Sequence, residues 1–167
     1  MFVIIIGIDP GTRITGYGII RVLGNVYQVL DYGCIRPPAN YKLTERYLVI
    51  FNALEALIHR YSPEALAVET QYVSKNVQSA IKLGMARGIA ILAAKKKGIA
   101  IFEYSPSKAK LAVVGNGSAS KGQVQKMVQL LLKLAQPPKP EDAADALALA
   151  ICHAHAAQCK SLYEAEI

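Results

Sequence analysis

The 167-residue chain has only three cysteines, Cys34, Cys152 and Cys159, with no CxxC pair and no even set from which to build a disulfide framework. Free thiols in a reducing compartment are the expectation. No secretory leader is expected at the start of this sequence. The opening MFVIIIGI is apolar but has no basic segment ahead of it and runs into Asp9 and Pro10, far short of the roughly 20 apolar residues that cross a bilayer. A soluble, cytoplasmic protein with no membrane role is expected. No low-complexity tract occurs, and the hydrophobic fraction of 53% supplies the apolar material for an ordered core. The length suits one domain, over residues 1–157, with 158–167 as a short tail.

Acidic residues are nearly absent from the middle of the chain. Residues 70–139 hold twelve lysines and arginines against the single acid Glu103, a local charge of +11. Residues 1–69 balance at six of each sign, and residues 140–167 carry one lysine against five acids, so 0, +11 and −4 make up the net +7. A stretch so poor in acid repels cations and suits a polyanion, because each phosphate neutralised releases condensed counterions. Nucleic acid is the natural partner. Lys75, Lys82 and Arg87 are candidate DNA contacts from this stretch, whereas the Lys95-Lys96-Lys97-Gly98 run equally suits a helix C-terminus.

The apolar pattern predicts a β-branched strand over 2–9, then apolar segments at 14–22 and 26–35 separated by Gly24-Asn25, which together read as an antiparallel meander. Leu43, Tyr47, Ile50, Phe51, Leu54, Leu57 and Ile58 recur at helical spacing over 41–61, with Asn40 as the expected N-cap. Ser62-Pro63 breaks that helix, and 65–70 form a buried strand. Asn76 is placed to cap a second helix, whose face carries Val77, Ala80, Ile81, Gly84, Gly88 and Leu92. A strand at 99–104, a helix starting at Ser105-Pro106, another over 120–134 and an alanine-rich helix from about Glu141 complete the order. The expected fold is α/β: a five-stranded mixed sheet, antiparallel meander plus two parallel strands, with helices on both faces.

Four carboxylates stand out. Asp9 ends the first strand and Glu69 lies near the end of the fourth, where open α/β sheets place their sites. Asp142 and Asp145, three residues apart, share one face of the last helix. An Asp in the run VIIIGID is costly to bury without a cation. Together the four make an all-oxygen donor set suited to hard cations such as Mg²⁺ or Mn²⁺. Such a set within a basic chain points to phosphoryl chemistry, with two metal ions flanking an in-line displacement.

The segments GIDPGTRITGYGII at 7–20, AVET at 67–70, KLGMARG at 82–88, FEY at 102–104, VVGNGSASK at 113–121 and EDAADALALAI at 141–151 resemble, in order, the motifs of RuvC-type Holliday junction resolvases. The resemblance implies a ribonuclease H-like fold and a homodimer that nicks two opposing strands of a four-way junction. It implies Mg²⁺ as cofactor, two ions per site with Mn²⁺ able to substitute, and hydrolysis to a 5′-phosphate and 3′-hydroxyl, acting in recombination and repair. The family's catalytic and metal-holding acids fall on Asp9, Glu69, Asp142 and Asp145. Its basic helpers fall on Lys110 and Lys121, and a base-stacking aromatic falls on Tyr72, where any base could stack. RuvA and RuvB, the branch-migration proteins, are the implied partners.

Rival readings have weaker support. Asp9-Pro-Gly-Thr also resembles the phosphate loop of actin-like ATPases, but the chain has no room for their second domain and no Walker-type lysine loop. A junction-binding protein that does not cut, or a less selective nuclease of the same fold, are the alternatives. The intact acid quartet argues against the first. Cys152, His155 and Cys159 share a helix face, yet a zinc site would lack a fourth ligand.

Overall fold

A computed structural model describes residues 2–70, 76–158 and 166–167. Ten elements follow in the expected order: β1 (Val3–Asp9), β2 (Thr15–Leu23), β3 (Val26–Ile35), α1 (Leu43–Tyr61), β4 (Ala65–Glu69), α2 (Val77–Lys95), β5 (Ala100–Tyr104), α3 (Pro106–Val114), α4 (Lys121–Leu131) and α5 (Glu141–Gln158). The sheet runs β3-β2-β1-β4-β5. β1, β2 and β3 pair antiparallel, while β1 with β4 and β4 with β5 are parallel.

Strand alternation sends side chains to two cores. Ile5, Ala65, Ala67 and Phe102 face α3, α4 and α5, with Val113, Val124, Val128, Leu147 and Ile151. Ile6, Ile8, Leu66, Val68 and Ile101 face α1 and α2, with Ile50, Leu54, Ile58, Ala90 and Ala94. Because β1 and β4 are covered on both sides, they read as unbroken apolar runs.

Helix boundaries follow local chemistry. Asn76 caps α2 as expected, its side chain accepting from the Ser79 N–H at 3.1 Å. Ser105 caps α3 ahead of Pro106. The expected cap Asn40 is displaced. Pro38 to Tyr41 form a turn closed by Tyr41 N–H to the Pro38 carbonyl, and α1 starts after Lys42, whose N–H donates to Glu45 at 2.6 Å. A capping-box acid at the third helical position outcompetes Asn40 because it satisfies a donor next to the first turn.

α2 packs on the sheet through Ala86, Ala90, Ala93 and Ala94. Its other face, the one carrying Val77, Ile81, Met85 and Leu92, is exposed. By length and composition α2 could cross a membrane, but it also carries Lys82, Arg87 and Lys95.

Candidate active site

The site is built on glycines. Asp9 pairs with Gly16 across β1 and β2, and Gly7 pairs with Gly18 one step below. All four share the face that receives α5. A Cβ on Gly7 would lie 2.0 Å from the Ala146 carbonyl oxygen, and one on Gly16 would lie 2.0 Å from that of Asp142. Without side chains there, the backbone of α5 lies directly on the sheet, and its first two turns set Asp142 and Asp145 beside the end of β1. Glu69 arrives by the parallel pairing of β4, in which Ile8 is opposite Val68.

Asp9, Glu69 and Asp145 line one cavity of about 310 Å³ together with Lys110, Lys121, Pro106 and Val124. Burial, then the charges of Glu69, Asp145 and Asp142, push Asp9 up to about 8, with Lys121 opposing. Glu69 is raised by burial first and Asp145 second, with Lys121 and Lys110 pulling it down. Burial also raises Asp145 against the influence of Lys121. Lys121 sits 3.2 Å from Glu141 and 3.9 Å from Asp145. These contacts raise its own pKa, the Glu141 hydrogen bond foremost.

A carboxylate held near pH 8 by burial and like charges is stable only when protonated or when a cation stands beside it. The donors are all oxygens, which matches a hard divalent ion. Among the described residues no three of these groups form a closed coordination shell as they stand. Like-charge repulsion, with Lys121 drawn toward Glu141, accounts for acids that share a cavity without closing on one point. The residues therefore fit a divalent cation. Asp9, Glu69 and Asp145 face the cavity, and Asp142 stands three residues before Asp145 on the same helix face.

The remaining candidates disperse. Lys110 lies on α3 and Lys121 opens α4, both at the cavity. Lys82 lines a separate and larger cavity with Arg13 and Arg46. Arg87 turns inward, its Nε donating to the Glu69 carbonyl at 3.2 Å and its guanidinium paired with Glu103. The one acid of the basic stretch is thus spent on Arg87, which leaves that guanidinium committed within the protein rather than offered to DNA. Tyr72, Lys75 and Cys159 lie outside the described residues. Cys152 lies on the buried face of α5.

Sequence reasoning missed Gly7, Gly16 and Gly18 as the seat of α5. Their signal was present in the alternation of GID and TGYG, where every second residue on one face lacks a side chain. It also missed the buried Tyr104 hydroxyl, 2.8 Å from His153 Nδ1, behind the site. Burial pushes that histidine down to about 4, so it stays neutral.

The model of the family described as Crossover junction endodeoxyribonuclease RuvC matches residues 5–153. The chain is 70% identical over 152 residues to a protein of that name from Protochlamydia amoebophila, covering 91% of this chain and 90% of the relative. It is 51% identical over 150 residues to the one from Ruminiclostridium cellulolyticum, covering 90% of each. The structure of T. thermophilus RuvC in complex with a Holliday junction substrate superposes with a TM-score of 0.90 at 33% identity, over 95% of this chain and 97% of that one.

Proposed function

Since the chain belongs to the RuvC family of crossover junction endodeoxyribonucleases and is a Holliday junction-resolving endonuclease, we propose that it cuts through the Asp9, Glu69, Asp142 and Asp145 quartet with Mg²⁺. The observation that carries this reading is the shared cavity of Asp9, Glu69 and Asp145 with Lys110 and Lys121. Two Mg²⁺ ions per site, replaceable by Mn²⁺, would supply an activated water and offset charge on the scissile phosphate.

The chain's own residues do the rest. Asp9 and Glu69, on rigid strand ends, hold the ion-binding oxygens at fixed separation, and Asp142 and Asp145 close the set from α5. Lys121, 3.9 Å from Asp145 and lining the same cavity, would turn its ammonium to the phosphate where a bound cation met the charge of Asp145. Lys110 faces the same cavity from α3. A water oxygen bonds to phosphorus as the bond to the 3′ oxygen breaks, leaving a 5′-phosphate and a 3′-hydroxyl. Tyr72, which follows Glu69 closely in the chain, stacks on a base near the cut, and Lys75 and Lys82 add phosphate contacts.

The enzyme acts as a homodimer in the cytoplasm, on junctions delivered with RuvA and RuvB, nicking two symmetry-related strands. The exposed strip Val77, Ile81, Met85 and Leu92 supports a second copy as the occupant of that face, because Gly84 and Gly88 leave open space between these side chains for a close helix approach. Lysines and an arginine along α2 argue for a protein partner over lipid.

The test is Asp145→Asn. It should bind a synthetic four-way junction as the parent does and fail to nick it with Mg²⁺ present. Equal nicking by the two proteins would remove Asp145 from the site. A parent that binds but never nicks would favour a junction-binding protein, and one that cuts linear duplex equally well would favour a less selective nuclease.

A further inference from the structure

On the α1/α2 side of the sheet, opposite the side that holds Lys110 and Lys121, two cavities meet. One of about 580 Å³ is lined by Thr12, Arg13, Tyr41, Arg46 and Lys82. The other, of about 420 Å³, is lined by Arg13, Arg36, Pro37 and Arg46. They share Arg13 and Arg46, so they lie side by side as one cationic surface, with four cations and no acid in its walls. None of the four is paired with an acidic side chain among the described residues.

The groove is preformed. Arg46 Nε donates to the Tyr41 carbonyl at 2.9 Å and its Nη2 to that of Ala39 at 2.5 Å, fixing the 36–42 connection over the start of α1. Thr15 Oγ1 donates to the Gly11 carbonyl at 2.7 Å, which closes the loop presenting Arg13. Both segments leave the sheet at the end where the carboxylates lie. Gly16 is opposite Asp9 on one side and Cys34 on the other. Cys34, near the end of β3 and two residues before Arg36, therefore stands two strand spacings, about 10 Å, from Asp9.

We propose that this groove is a phosphate track for a double-stranded DNA arm leaving the active site, with Arg13 and Arg36 as its main contacts and Arg46 and Lys82 as its floor. The argument is one of charge balance and placement. The carboxylate quartet repels DNA, and Lys110 and Lys121 offset that on one side of the sheet only. DNA crossing the sheet end needs a second cationic wall, and four cations with no acidic partner among the described residues supply it at a concave surface on the other side. The inference rests on the junction-cutting reading above and extends it to residues with no role in the chemistry.

The experiment measures binding of a fluorescent immobile four-way junction at increasing KCl without divalent metal, for the parent and for Arg13→Gln/Arg36→Gln. Each lost phosphate contact lowers the slope of log affinity against log salt by about 0.9, so a dimer that loses two contacts in each protomer should lose about 3.6 of slope and bind more weakly at low salt. Its single-turnover cleavage rate at saturating protein should match the parent's. An unchanged slope overturns the groove while the parent's cleavage leaves the resolvase reading standing. A changed sedimentation mass for the variant also overturns it, because the groove would then be a protein interface. Arg36→Lys, which keeps the charge, should retain most of the parent's slope, and its failure to do so would exclude a phosphate contact at that position. A parent that does not nick the junction at all would sink the resolvase reading, whatever the slopes.

Discussion

The guanidinium of Arg87 donates to the main-chain carbonyl of Glu69 at 3.2 Å while its charge is met by Glu103 on the neighbouring strand. Helix α2, whose outer face is apolar and open, is therefore tied to the end of the strand that carries a site carboxylate. Arg87→Met should leave Glu103 without its partner and destabilise the protein by about 1–3 kcal/mol. Cleavage should slow while the salt dependence of junction binding stays that of the parent. A reduced salt slope in this variant would show that Arg87 contacts phosphate after all.

Gly16→Ala tests the seat of α5. Its added carbon would stand 2.0 Å from the Asp142 carbonyl oxygen and 3.0 Å from the Asp142 Cβ, so the first turn of α5 must lift. Overpacking of this kind costs about 1–3 kcal/mol, and a displacement near 1 Å at a reacting centre can cost about a hundredfold in rate. Thermal melts and single-turnover cleavage rates would check both. A variant with the parent's rate would mean that the helix position does not set the carboxylate geometry.

Metal-free protein should lose stability as pH rises. Unfolded Asp9 gives up its proton near 3.8, whereas the folded protein holds it until about 8. Between those values the folded state binds more protons than the unfolded one, so stability falls with increasing pH. Glu69 and Asp145, raised in the same direction, add to the fall. Asp9→Asn should flatten the curve measured by thermal melts in EDTA. Parent and variant curves of equal slope would contradict the assigned burial of Asp9.

Ile81→Asp probes the outer face of α2. Ile81 is 58% exposed, so the fold has no reason to fail. Sedimentation should shift from a mass of two chains to one, with the melting curve of the monomer retained. A parent that already sediments as one chain, free and on a junction, would remove the dimer.

The strands and helices were legible because each covered element carries the periodicity of its burial: β1 and β4 as apolar runs, α1 as a heptad-like stripe. The four acids were legible because strand ends and a helix first turn are places that chain order alone identifies. Arg87 was not, since nothing local distinguishes a lysine or arginine facing DNA from one turned toward Glu103, sixteen positions on. The cap of α1 slipped from Asn40 because a tight turn and Glu45 compete for the same residues. The groove of Arg13, Arg36, Arg46 and Lys82 was hidden for a different reason. Arg13, Arg36 and Arg46 come from a stretch whose charge balances, and only the packing of the strand ends against α1 and α2 gathers them with Lys82.

The most direct measurement is a strand-mapped nicking assay on an immobile four-way junction and a matched linear duplex, with Mg²⁺, with EDTA, and with Asp9→Asn. The account predicts paired nicks at symmetric positions on two opposing strands of the junction, absent in EDTA, absent in the variant and absent on the duplex. Nicks that persist in EDTA or in Asp9→Asn would contradict it, because the cavity of Asp9, Glu69 and Asp145 would then not be where the phosphate is cut.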